Sequence, residues 1–245
     1  MNILNELTDD YLNDLLVRMA HHSTAIEGNS LTLGETKSIL IDKFIPRAIE
    51  LREFHEVANY KNYIDFLLDA LKQELPVDID LIKKTHYILC NNAIEGVPGR
   101  FKTIQNVIIG AGFETTEPYK VQEELKNWCD NLNYRIYASN SNHDNLSVIC
   151  EQHINFEKIH PFSDGNGRVG RALIVYSCLQ NDLAPAVIPV EQRKEYINYL
   201  NNGDVKGLTA FAAKLQINEK NRLNLFKNIA SKARPKSAKH DELER

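Results

Sequence analysis

Apolar positions recur at helical spacing along almost the whole chain. Val57, Tyr60, Ile64, Leu67, Leu68 and Leu71 fall on one stripe of a segment about five turns long, which predicts a core helix. Pro76 ends that segment, and Asp78 is placed to cap the first turn of a second helix through Leu81, Ile82, Thr85 and Leu89. Helical spacing returns over Val121 to Leu132. The polar stretch Ser139 to Asn145 reads as a loop before a helix carrying Ile149, His153 and Phe156, which Pro161 closes. Val169 to Leu179 is apolar enough to predict a buried helix, and Arg193 to Leu200 and Leu208 to Leu215 predict two more. Only Phe101 to Pro118 breaks the pattern. Its β-branched run Val107-Ile108-Ile109, followed by Gly110 and Gly112, predicts a short hairpin. The expected fold class is therefore mainly α with a short β-hairpin, and there is no internal repeat.

Composition narrows the function classes. With 245 residues, 43% hydrophobic and 25% charged, the chain can bury one substantial core with a small appendage. A net charge of −4 gives no general attraction for nucleic acid or acidic membrane, so any anion site must be local. The four cysteines have neither C-x-x-C pairing nor histidine neighbours suited to zinc and read as reduced thiols. The polar, acidic start of the chain and the lack of an apolar run of about eighteen residues lead to the expectation of a cytoplasmic protein without a membrane segment. Beyond Ala233 the Lys, Ser, Pro and Glu content predicts a disordered tail.

The candidate chemistry lies in His160-Pro161-Phe162-Ser163-Asp164-Gly165-Asn166-Gly167-Arg168 with Arg171. Gly165 and Gly167 are suited to positive φ, turning successive N–H groups toward one point as an anion-binding nest at a helix start. Arg168 and Arg171, three residues apart on that helix, can clamp phosphate oxygens in bidentate fashion. Asp164 offers one carboxylate beside the nest, which suits Mg2+ shared with phosphate and water. His160, with a near-neutral pKa, suits a general base taking a proton from a hydroxyl. Taken singly, the glycines make a turn and the histidine a helix end; their combination within twelve residues has no economical structural explanation.

The segment resembles the Fic family signature H-P-F-x-(D/E)-G-N-G-R-x-x-R at every specified position. The resemblance implies a helical core that transfers AMP from ATP to a Ser, Thr or Tyr hydroxyl of a protein. It implies His160 as base, Asp164 as the Mg2+ ligand, Asn166 as a positioner of the α-phosphate, Gly165 and Gly167 as phosphate-binding glycines, Arg168 and Arg171 as clamps, and Phe162 as the buried anchor.

A second constellation, Ser23 to Asn29, reads as a helix C-terminus stopped by Gly28, where Glu27 is disfavoured by the helix dipole and invites a partner. It resembles the family's inhibitory pattern (S/T)-x-x-x-E-(G/N), matched by Ser23, Glu27 and Gly28, in which the glutamate pairs with the second signature arginine, here Arg171. The expected organisation is an N-terminal helical region over 1–75, with the inhibitory helix at about 12–28, a catalytic core over 76–215, and a C-terminal helix and tail over 216–245. About Gly99 to Pro118 resembles the flap on which protein targets dock, with Lys102 where relatives often carry an arginine. Tyr196 resembles part of an adenine pocket, and Asn202 is a candidate contact to the base. His153 is expected to be a packed structural histidine. Removal of AMP from modified targets, transfer of another nucleotide, and ATP binding without catalysis remain as alternatives, and self-modification and self-association stay open.

Overall fold

The apolar stripe that starts at Val57 becomes the spine of the molecule. In the computed structural model, which describes residues 3–107 and 113–233, it lies on α3 (Leu51–Lys72), with Val57, Tyr60, Tyr63, Leu67 and Leu71 buried. Before it come α1 (Asp9–Ile26) and α2 (Leu33–Leu40); after it come α4 (Ile79–Cys90), α5 (Val121–Tyr137), α6 (Asn142–Ile159), α7 (Asn166–Gln180), α8 (Arg193–Asn202) and α9 (Val205–Ala233). α7 sits at the centre. Val169, Ala172, Val175 and Tyr176 join the large core shared by α1, α3, α4, α5 and α6. Ile174 and Cys178 join a second cluster with Ile149, Ile154, Tyr196, Leu200, Leu208 and Phe211. Burial on all sides is what an almost wholly apolar helix requires. All four cysteines are free and buried.

Several helix starts follow the capping logic. The Asp78 carboxylate accepts from the Leu81 N–H at 2.8 Å. Ser141 accepts from the Asp144 N–H, so α6 begins at Asn142 and the polar loop expected over Ser139 to Asn145 is shorter than its composition implied. α2 escaped the periodicity because it is only two turns long, yet Thr32 and Glu35 form a reciprocal capping box at its start.

Two expectations change. α9 is continuous through Leu215, so no break separates a core from a C-terminal helix there, and the tail from residue 234 lies outside the described residues. Among the described residues, Phe101 to Pro118 forms no strand, and residues 108–112 lie outside them. Side chains bridge the two described legs in place of a ladder: the Gln105 amide donates to the Thr115 carbonyl at 2.7 Å, and the Thr115 hydroxyl donates to the Asn106 carbonyl at 2.8 Å. Val107 is 85% exposed and contributes nothing to the core.

α1 is pinned along its length. Tyr11 donates to Glu219 on α9 at 2.6 Å, and Arg18 grips the same buried carboxylate with two nitrogens at 2.7 and 2.9 Å. Losing one partner of such a buried pair strands the other. Glu219→Ala is therefore expected to lower unfolding stability by about 3 to 5 kcal/mol, read by urea denaturation; a change within error would show that α1 is held by apolar contacts alone.

Candidate active site

The turn between α6 and α7 is built by side chains that immobilise its backbone. His160 caps α6 in the left-handed conformation, φ 50° and ψ 60°, with its N–H on the Phe156 carbonyl. Pro161 cannot continue a helix. Phe162 is fully buried and stacks on His86 of α4, ring centroids 3.7 Å apart. Asn166 clasps Phe162 from both sides: its amide donates to the Phe162 carbonyl at 2.8 Å and its side-chain oxygen accepts the Phe162 N–H at 2.9 Å. In this structure the Asn166 side chain shapes the loop.

The two glycines serve different needs. Gly165 has φ 78°, and a Cβ on it would strike the Cys90 sulfur. Gly167 does not take the positive φ expected of it, since it is already inside α7. Its constraint is space: a Cβ there would strike the Glu27 carboxylate and approach Arg171 Nη1 to 2.9 Å.

Both signature arginines border this turn, with different partners. Arg168 is buried, its Nη1 3.6 Å from Glu56 of α3 and its Nη2 3.6 Å from Asp164, and its Nε and Nη1 have no hydrogen-bond acceptor. Arg171, also buried, donates from Nε to the Ser23 hydroxyl at 3.0 Å and from Nη2 to the Ser23 carbonyl at 2.9 Å and to Glu27 at 2.6 Å. Burial opposes the charge on Glu27, but Arg171, followed by Arg168 and Arg193, outweighs it and holds the carboxyl below its usual range. Arg193 also donates to the Ile26 carbonyl at 2.7 Å, placing a cation at the negative end of α1. Gly28, at φ 100°, turns the chain away with open space around it.

At the lip, His160 Nδ1 lies 3.2 Å from the Glu157 carbonyl, a partner that can only accept, so Nδ1 carries the proton and Nε2 keeps its lone pair. Burial lowers the imidazole pKa to about 4, against the Glu157 backbone bond, and Lys102 adds to the lowering. The ring is neutral at neutral pH, as a base must be. Asp164 keeps its side chain 63% exposed beside the turn.

Of the candidate base-pocket residues, Tyr196 borders Arg171 from within the core and Asn202 lies apart. Tyr196 is fully buried, and its hydroxyl lies 2.8 Å from His153 Nε2 with the rings stacked. His153 is accordingly a packed core histidine. Asn202 ends α8, exposed and bonded to Asn198, rather than shaping a separate turn before Gly203.

Three supporting residues carried weaker signals. His86 accepts the Gly99 N–H on Nδ1 and meets the Asp164 carbonyl through Nε2 at 3.0 Å, which ties α4 to the loop. Glu56 links Asn29, just after the Glu27–Gly28 turn, to Arg168. Cys90 walls Gly165. An acid among buried positions of α3 was the only visible hint of Glu56, because buried carboxylates require partners.

Glu157 is buried beneath Gly170, with Oε1 unpartnered and Oε2 4.0 Å from His160 Nδ1. Burial pushes its carboxyl up to about 7, although Arg171 opposes the rise. The folded protein therefore holds this proton over a range in which the unfolded chain has lost it, and stability falls as pH rises from the ordinary glutamate value to about 7. Glu157→Gln is expected to raise the melting temperature relative to the parent, and by more at about pH 8 than at about pH 5; a difference independent of pH would mean that Glu157 does not titrate in this window.

Comparison with known proteins places this geometry. The Fic/DOC family profile matches residues 76–178. The chain is 33% identical over 199 residues to the protein adenylyltransferase fic-1 of Caenorhabditis elegans, covering 79% of this chain and 38% of that protein. It is 29% identical over 198 residues to the protein adenylyltransferase Fic of Drosophila willistoni, again covering 79% of this chain and 38% of the relative. The chain thus spans about two-fifths of the length of these curated relatives. A solved fragment of Fic-1 from C. elegans superposes with a TM-score of 0.76 at 28% identity, covering 88% of this chain and 64% of the fragment. A Fic domain containing signaling protein from Bacteroides thetaiotaomicron shares the fold, with a TM-score of 0.75 at 19% identity over 95% of this chain and 90% of that one. Residues 76–178 of this chain form a Fic/DOC family domain.

Proposed function

We propose that the protein is a protein adenylyltransferase that uses ATP and Mg2+ and is held off by its own N-terminal helix. The observation that carries this reading is the state of the two arginines: Arg168 is buried with donors unpartnered beside a helix N-terminus, while Arg171 is bound by Ser23 and Glu27. A buried guanidinium with free donors beside that N-terminus suits a polyphosphate. The adenylyltransferase names of the relatives and the match over 76–178 support the choice of ATP.

His160 Nε2 takes the proton of a Ser, Thr or Tyr hydroxyl on the target. The hydroxyl oxygen attacks the α-phosphorus, a new P–O bond forms as the bond to the β-phosphate oxygen breaks, and pyrophosphate leaves. The N–H groups of the first turn of α7 and the Arg168 donors stabilise the anionic oxygens. Asp164, a single exposed carboxylate among the described residues at the nest, fits Mg2+, which is commonly shared between one protein carboxylate, phosphate and water. The ion would supply charge neutralisation on the phosphates.

Glu27 works against this by occupying Arg171, the second clamp, so the triphosphate is denied a full grip and its α-phosphorus is not lined up for attack. The target docks on the flap legs around Gly99 to Pro118, close to His160. With Mg2+ and α-labelled ATP, Glu27→Gly is expected to raise AMP transfer to lysate proteins or to itself by about 10²-fold, read by intact mass, and His160→Ala to abolish it. Absence of transfer by Glu27→Gly would remove the proposal, and loss of AMP from pre-modified proteins in its place would assign the reverse reaction.

A further inference from the structure

We propose that Lys102 is a positioning residue for His160, clamping the two peptide carbonyls that flank the base and fixing the first flap leg to the catalytic turn. The inference rests on the transferase reading for its kinetic consequence and on the geometry alone for its effect on the imidazole.

Lys102 reaches the turn twice. Its backbone N–H donates to the Pro161 carbonyl at 2.9 Å, and its ammonium donates to the Ile159 carbonyl at 3.4 Å. One residue therefore holds the carbonyl before His160 and the carbonyl after it. The ammonium's other two donations go to Asn106 Oδ1 at 2.8 Å and Thr115 Oγ1 at 3.1 Å, one acceptor from each flap leg. Three acceptors match the three donors of an ammonium. Asn106 completes the junction by donating its amide to the Phe162 carbonyl at 2.9 Å.

This clamp acts where the backbone most requires it. His160 has φ 50°, a region that a residue with a Cβ adopts only when its surroundings enforce it. Releasing these carbonyls frees the Ile159–His160 peptide plane before the base and the Pro161–Phe162 plane one residue beyond it, and with them the direction of the imidazole. Lys102 is only 4% exposed, yet no carboxylate lies within ion-pair distance among the described residues. Its charge thus falls on its surroundings, where it favours the neutral imidazole. The groups facing His160 are Glu157 on its own helix, Lys102 from the flap, Glu27 from α1 and Asp164 from the loop, and of these Lys102 is the cation. A lysine buried solely to join loops would not need both contacts to bracket the base.

The test compares Lys102→Met and Lys102→Arg in the Glu27→Gly background. Methionine keeps the stem and removes the donors and the charge; arginine keeps both the charge and donors. Lys102→Met is expected to lower kcat by about 10²-fold with little change in KM for ATP, and to raise the midpoint at which the His160 ring titrates, followed by NMR of labelled imidazole. Lys102→Arg is expected to restore the parent midpoint and much of the rate. If the Met protein does not fold, Lys102→Gln, neutral but still a donor, carries the same comparison. An unshifted His160 midpoint overturns the proposal, whether or not kcat falls, because loop support alone would lower the rate without moving the titration. If the Glu27→Gly parent itself transfers nothing, the transferase reading fails, and the NMR midpoint still decides the role of Lys102.

Discussion

A single buried guanidinium, that of Arg171, determines what the N-terminal helix does. A cation with almost no solvent contact must be paired, and Arg171 donates to the Ser23 hydroxyl, the Ser23 carbonyl and the Glu27 carboxylate at the end of the N-terminal helix. Breaking that set would leave the charge stranded unless another anion took its place. On the proposed function, nucleotide and helix would compete for this one partner. The same constraint explains Gly167, whose missing side chain leaves room for the carboxylate against α7.

The rest of the molecule keeps that competition local. Tyr11 and Arg18 bind Glu219, which ties the first turn and the middle of α1 to α9, and Arg193 holds the Ile26 carbonyl at its C-terminus. Glu27 lies just beyond the last helical residue, and Gly28 turns the chain away behind it. On the proposed function, a rotation of the Glu27 side chain would remove the block at far smaller cost than undocking eighteen residues of packed helix. On the other side of the site, Asn166, His86 and Lys102 fix the turn that carries His160, which on the proposed function would set the base in advance.

Much of this was legible in residue order. Helical periodicity found α3 through α9 because their buried faces recur every three or four residues, and the glycine, carboxylate and arginine spacing marked the catalytic turn. What stayed hidden depends on contacts distant in sequence. Glycine type alone could not tell the left-handed turn at Gly165 from the steric constraint at Gly167, which is set by a carboxylate 140 positions upstream. The burial of Tyr196 was likewise not visible, because its partner His153 lies on another helix. The flap read as a hairpin from its β-branched residues, while its described legs are joined by the side chains of Gln105, Asn106 and Thr115. α2 was missed although its capping box, Thr32 with Glu35, was plain in the sequence.

The competition for Arg171 is tested most directly by crystal structures of the parent and the Glu27→Gly variant, each with Mg2+ and a non-hydrolysable ATP analogue. The account predicts that the γ-phosphate sits on Arg171 in the variant, with the triphosphate along the start of α7, and that in the parent Glu27 keeps Arg171 while the γ-phosphate lies elsewhere. A γ-phosphate bound to Arg171 in the same pose in both proteins, or a triphosphate away from Gly165 to Arg171 in both, would contradict it.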